Sequence, residues 1–214
     1  MTTAKTYDRQ TATFLAAVGQ NMPEIPASLM QEWIEHPKDL QQALWKALCP
    51  LKTVPRPEFP TWKTVKLGTH KSANDLSKSL RSNGFWISNW AADILKKTTF
   101  APAETEIELV LVTVADLGFT KATRRDAIYD RAKELGLDLV PAEVGPQLRL
   151  QYADQPMNEW MVMGMEPIAG SGGSLHVFGV TRSVGGLWLD TDYARPGIAW
   201  DPVDRGVFAR RKQN

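Results

Sequence analysis

The chain has 214 residues, 43% of them hydrophobic, with 25 basic against 24 acidic residues and a formal net charge of +1. That apolar content supports a sizeable core, and the balanced charge removes the electrostatic case for a nucleic-acid or membrane surface. A single cysteine, Cys49, excludes an internal disulfide framework and a multi-cysteine zinc site. No apolar run reaches the ~18 residues that a membrane span requires. The start, MTTAKTYDRQ, lacks the apolar centre of a signal peptide, so a cytoplasmic location is expected.

In chain order, residues 1–48 read as short helices. Leu29, Trp33, Leu40, Leu44, Trp45 and Leu48 recur at three- and four-residue spacing, and Pro23, Pro26 and Pro37 divide the segment. Residues 49–60, CPLKTVPRPEFP, form a stiff proline-rich connector. Residues 61–214 then form the main domain. TWKTVKLG (61–68) reads as a strand. Residues 72–82 read as a helix capped by Ser72 and ended by Asn83-Gly84. FWISNWAADILKK (85–97) reads as a second amphipathic helix.

TEIELVLVTVADLGF (105–119) is the strongest strand, and RRDAIYDRAKELGL (124–137) is a helix stopped by Gly136. Strands are expected over 147–152, 159–165, 175–182, 186–189 and 206–211, with AGSGGS (169–174) as a hairpin loop. The order gives an α+β class. There are eight tryptophans. Trp33, Trp45, Trp62, Trp86, Trp90 and Trp160 are expected in the core, and Trp188 and Trp200 on display.

No catalytic motif is legible. The glycines Gly170, Gly172 and Gly173 follow a strand but open no helix, so a hairpin is preferred to a phosphate loop. His36, His70 and His176 lack metal-ligand spacing, and Cys49 has no visible base. Asp190, Asp192, Asp201 and Asp204 do not match an EF-hand and read as turn carboxylates. No catalytic residue, metal or cofactor is expected. Glu143 and Glu166 stand in glycine- and proline-rich contexts, where Glu143 is expected to order a turn by hydrogen bonding.

The segments VTVADLGF (112–119), IYDRAKELGLDLVPAEVGPQLRLQY (128–152), MEPI (165–168), GLWL (186–189) and WDPVDRGVFARRK (200–212) resemble a group of proteins encoded in uncultivated bacteria with small genomes. The element order also resembles a C-type-lectin-like fold, with LGLDLVPAEV (135–144) as its turn and RGVFARRK (205–212) as its closing strand. The resemblance implies a mixed or antiparallel sheet with packed helices, preceded by the short helical segment. One branch of that fold is the variable protein of diversity-generating retroelements, whose C-terminal loop residues are diversified for binding. The corresponding set here is Trp188, Asp190, Asp192, Tyr193, Arg195, Ile198, Trp200 and Asp204. The formylglycine-generating branch needs paired cysteines near the C-terminus, and this chain has none there. The calcium-lectin branch needs Glu-Pro-Asn, whereas Glu166-Pro167 is followed by Ile168.

The expected function is non-enzymatic binding of a protein or other macromolecule through the C-terminal aromatic and acidic surface, with no membrane partner. An enzyme using Glu143, Glu166 or His176 is the alternative. A nucleic-acid regulator using residues 72–97 with Arg210, Arg211 and Lys212 is the second alternative.

Overall fold

Residues 9–48 and 58–211, apart from residue 196, are described by the computed structural model. The chain divides into two units, Met1–Pro55 and Arg56–Asn214. In the first, α1 (Arg9–Gln20), α2 (Ala27–Glu35) and α3 (Pro37–Leu48) are separated where proline sets the backbone. Pro26 stands at the N-cap of α2, and Pro37 opens α3, where a missing amide proton costs nothing. No residue of α2 is buried. Val18, Met22, Ile25, Trp33, Leu40 and Leu44 help line an apolar groove of about 800 Å³. The Trp45 side chain, Cys49, the connector as far as residue 57, and Lys212 lie outside the described residues.

The second unit begins with β1 (Lys63–Leu67), α4 (Ala73–Ser82), β2 (Trp86–Ile87), α5 (Asn89–Leu95) and β3 (Thr105–Thr113). Next come β4 (Thr123–Arg124), α6 (Arg125–Glu134), β5 (Leu137–Asp138) and α7 (Val144–Gln151). The chain closes with β6 (Trp160–Met163), β7 (Ile168–Ala169), β8 (Leu175–Ser183), β9 (Gly186–Tyr193), β10 (Ala199–Trp200) and β11 (Arg205–Arg210). The class is α+β. A mixed nine-stranded sheet runs β1-β3-β11-β6-β8-β9-β2, with β5 beside β11 and β7 beside β8. The β11/β6 and β2/β9 pairs are parallel and the other pairs antiparallel. β4 and β10 form a separate ribbon.

Helices cover the two faces of the sheet unequally. Phe178, Val180, Leu189 and Ile87 share one face, because paired residues project together and the side-chain period is two. α5 and α7 pack over this face. α7 comes very close: a Cβ on Gly145 would stand 2.5 Å from the Phe178 Cβ, so only glycine fits. On the opposite face, Tyr129 of α6 packs edge-on against Phe208 of β11, at 5.9 Å between ring centroids. α6 therefore covers the β3–β11 side of that face.

Ser72 caps α4, its hydroxyl accepting the Asp75 amide at 3.2 Å. Ser72→Ala is expected to cost about 1 kcal/mol. That corresponds to a melting temperature lower by roughly 2–4 °C for a domain of this size.

Three expected elements differ. Residues 85–97 are not one helix. Gly84 turns at φ +79, Phe85 is buried, Ile87 points inward from the short strand β2 beside β9, and Ser88 then caps α5. That removes the helical hairpin from the nucleic-acid reading. Residues 147–151 belong to the helix α7 rather than a strand, and Tyr152 is its C-cap. Arg149, in this helix, is fully buried. Its guanidinium donates to Gln155 Oε1 and to the Tyr152 carbonyl, and it lies over the Phe85 ring. The strand over 105–119 stops at Thr113, where the Asp116 carboxylate accepts the Thr113 amide and folds a turn.

Candidate functional surface

The β8–β9–β2 end of the sheet face that α6 leaves uncovered carries a row of aromatic side chains in register. Trp160 of β6 opposes Thr181 of β8, Thr181 opposes Trp188 of β9, and Trp188 opposes Trp86 of β2. Four neighbouring strands thus place three indoles on one side, with a threonine between two of them. Trp86 and Trp188 stack at 5.5 Å between centroids and 22° between planes. Trp86 is 53% exposed and Trp160 37% exposed, while Trp188 is half-buried. Indoles this open on a sheet face are available contact area.

One pleat further along, Asp190 opposes Gly179; two pleats along, Asp192 opposes Val177. Asp190, Asp192 and Trp188 therefore share the face. Asp190 Oδ1 accepts the Thr191 amide at 2.8 Å, and Asp192 Oδ1 accepts the Tyr193 amide at 2.9 Å. Among the described residues, no lysine or arginine forms an ion pair with either. Burial raises the Asp192 carboxyl above the usual carboxylate range. The Tyr193 amide opposes the rise, and the Asp204 carboxylate adds to it. Arg125 is close enough to act on Asp192 through space but closes no pair with it.

The inner end of the surface is built from α6 and β10. The Arg125 guanidinium lies over the Tyr129 ring at 5.5 Å, and Tyr129 meets Trp200 edge-on at 6.1 Å. Burial pushes the Tyr129 phenol up to about 12. Its hydroxyl lies beside the main chain of Met165 without completing a hydrogen bond. Arg125 Nη1 and Trp200 Nε1 are likewise buried donors without a partner among the described residues.

This geometry corrects the displayed set. Trp200 is 2% exposed and belongs to the core. The aspartates and prolines around it looked like an open loop, but Trp200 sits on β10 against Tyr129, close above Gly206. Trp188, Asp190, Asp192, Ile198 and Asp204 are half-buried, and Tyr193 and Arg195 are exposed. Asp204 is used locally, its carboxylate accepting the Asp201 amide at 2.7 Å. Trp86, Trp90 and Trp160, expected in the core, are exposed instead. The signal for Trp86 is its outward place between the buried Phe85 and Ile87. Trp62 is half-buried and Trp33 lies in the first unit.

The residues named for an enzyme do not assemble into a working set. Glu143 is 1% exposed. Its Oε1 accepts the Gly68 amide at 2.7 Å and Gln147 Nε2 at 3.0 Å, and its Oε2 accepts the Ala101 amide at 2.7 Å. Both oxygens are committed to joining three segments. Glu166 is exposed beyond β6. His176 is buried on the opposite face of the sheet from Asp190, stacked on Trp90 at 4.9 Å and tilted against Tyr193 at 4.9 Å. His70 bridges Ser79 Oγ and Thr69 Oγ1, and His36 ends α2. Among the described residues, no group of three His, Cys, Asp or Glu side chains is arranged to hold a metal ion. Also among them, no helix is long and apolar enough to cross a membrane.

Both His176 ring nitrogens lack a hydrogen-bond partner. Burial lowers the imidazole pKa, and the Asp93 and Asp192 carboxylates oppose that shift. A histidine whose folded pKa is depressed stabilises the fold above its unfolded value of ~6.5 and loses that contribution as pH falls through the folded value. Wild type should therefore lose more stability than His176→Phe between about pH 7 and pH 5, measured by urea melts at each pH. Parallel losses in the two proteins would refute this.

Comparison with protein families, with curated proteins and with solved structures finds no match for this chain.

Proposed function

We propose that the protein is a non-enzymatic binding protein, in which a C-type-lectin-like domain spanning about residues 61–214 presents its open sheet face to a macromolecular ligand. The observation that carries this reading is the register of Trp160, Thr181, Trp188 and Trp86 across four strands. A sheet fixes such a row at no extra entropic cost on binding, and rigid aromatic anchors beside polar groups are the usual centre of a protein contact. The commitment of both Glu143 oxygens to main-chain and amide donors further favours binding over an acid–base role. The C-type-lectin-like reading itself rests on the sequence resemblance, together with a C-terminal strand at the middle of the sheet.

The test is selection from a displayed library of random peptides against wild type and against the Trp86→Ala/Trp188→Ala double variant. Clones that bind wild type and not the double variant, with melting temperatures within about 3 °C of each other, support a binding face. Identical enrichment on both proteins counts against it.

Diversification by a retroelement makes a separate demand. Adenine-directed variation across a natural population should fall on the codons of Trp188, Asp190, Asp192, Tyr193, Arg195, Ile198 and Asp204, and should spare Trp200. Sequencing the 3′ end of the gene and its flanking DNA checks this. An invariant tail with no template repeat removes diversification and leaves a binder of fixed specificity.

A further inference from the structure

The three amphipathic helices of the first unit form no core of their own. None of the described side chains between residues 10 and 44 is buried. Helices of 9 to 12 residues are marginal alone, and a unit this small usually needs a disulfide, a metal or oligomerisation to hold it. One cysteine makes no disulfide within the chain, and among the described residues no group of three His, Cys, Asp or Glu could hold a metal. The apolar groove of about 800 Å³ is the place where association can supply the missing core. No charged residue lines it, and the Asn21 amide in its wall is occupied, donating to the Ala17 carbonyl at 2.9 Å. A ridge stands beside it. Phe14 and Leu15 of α1 lie outside the groove but on the helical face that leads to Val18 in its wall, and they are 50% and 47% exposed.

We propose that this groove receives a second copy of the chain, with Phe14 and Leu15 of each copy entering the groove of the other. A surface that carries both a ridge and a groove can complement itself about a two-fold axis, as an isologous contact requires. An uncharged groove between helices takes the apolar face of another helix, and the same unit supplies that face. Phe14, Leu15, Met22, Met30, Ile34 and Leu44 are between 39% and 71% exposed, which leaves open the equivalent of about three large side chains, or roughly 600 Å². Two copies therefore bury roughly 1,200 Å² from these six residues alone, the area at which stable specific interfaces begin. Charge does not oppose the contact, since Arg9, Lys38 and Lys46 balance Glu32, Glu35 and Asp39 on the three helices.

Sedimentation equilibrium on the full chain tests this. At micromolar concentrations the protein is expected to run at twice the chain mass. Phe14→Glu/Leu15→Glu on the ridge and Ile34→Glu in the groove wall, each checked for an unchanged melt of the second unit, should weaken dimerisation by about tenfold or more. Mixing these two variants is the sharper measurement. One brings an intact groove and the other an intact ridge, so one junction of the two is restored, and the mixture should dimerise at concentrations where neither variant does alone. Trp86→Ala/Trp188→Ala, on the open sheet face of the second unit, should leave the dimer unchanged. A wild-type chain that stays at single mass overturns the proposal, whether the groove is then covered by the chain's own second unit or by another partner. A dimer that the ridge and groove variants leave intact, a mixture that fails to recover association, or a dimer lost in the Trp86/Trp188 variant each overturns it too.

Discussion

Glu143→Ala is expected to destabilise the second unit by about 3–5 kcal/mol, because it leaves the Gly68 and Ala101 amides and the Gln147 side chain without their acceptor. A hydrogen bond to a charged acceptor contributes roughly 1.5–3 kcal/mol, and a buried donor left alone costs a similar amount. Relief from burying a carboxylate with no ion-pair partner offsets part of that sum. At roughly 2–4 °C per kcal/mol, the melting temperature should fall by about 10 °C. Local geometry leaves little room for repair. Gly68 turns at φ +72, and a Cβ there would meet the Ala103 carbonyl oxygen at 2.2 Å, so the loop that presents its amide has no ready alternative path. Glu143→Gln keeps one acceptor but turns an NH₂ toward a donor, and should lose about half as much. A melting temperature within about 2 °C of wild type for the alanine variant would show that this carboxylate does not hold the three segments together.

Trp200→Ala should be about as damaging, at roughly 3–5 kcal/mol, while Trp188→Ala should cost about 1 kcal/mol or less. Both residues are tryptophans in the same turn-rich tail, twelve positions apart. Trp200 is buried against Tyr129, and its removal opens a cavity that α6 and the sheet cannot both close. Trp188 gives up a half-exposed stack with Trp86, beyond which there is solvent. Thermal melts of the two variants side by side decide the matter. Similar losses would mean that Trp188 is a core residue, and the binding face would lose its central anchor.

The sequence was readable where one signal decided local structure. Ser72 and Asn83-Gly84 bound a helix because capping acts within a single turn. β3, β8 and β11 were legible because runs of Val, Leu and Phe form strands wherever they are buried on both faces. Arg149 defeated the pattern, since its partners, Gln155, the Tyr152 carbonyl and the Phe85 ring, come together only in the folded chain. The candidate surface was half legible. Trp188, Asp190 and Asp192 fall inside the tail that drew attention, yet the side chains that complete the face, Trp86 and Trp160, come from distant segments. Only strand register unites them, and register depends on the whole sheet rather than on any local run. Trp200 misled for the complementary reason: its aspartate- and proline-rich neighbours form a turn that folds the ring inward.

The amides of Thr191 and Tyr193 bear on how this protein behaves at high concentration. Ala194 donates to the Leu175 carbonyl across the β8 side, so amides at alternate positions of β9 turn the other way, off the sheet. β2 covers that edge only at residues 188 and 189. Beyond it the strand would offer a template to another chain, but Asp190 and Asp192 fold back onto the two free amides and add negative charge to the rim. Edges guarded in this way resist fibril growth and strand exchange. Asp190→Ala/Asp192→Ala should leave the chain folded yet prone to concentration-dependent self-association, visible as a rising sedimentation coefficient, so the same two carboxylates on the proposed binding face would also keep this edge from binding another copy.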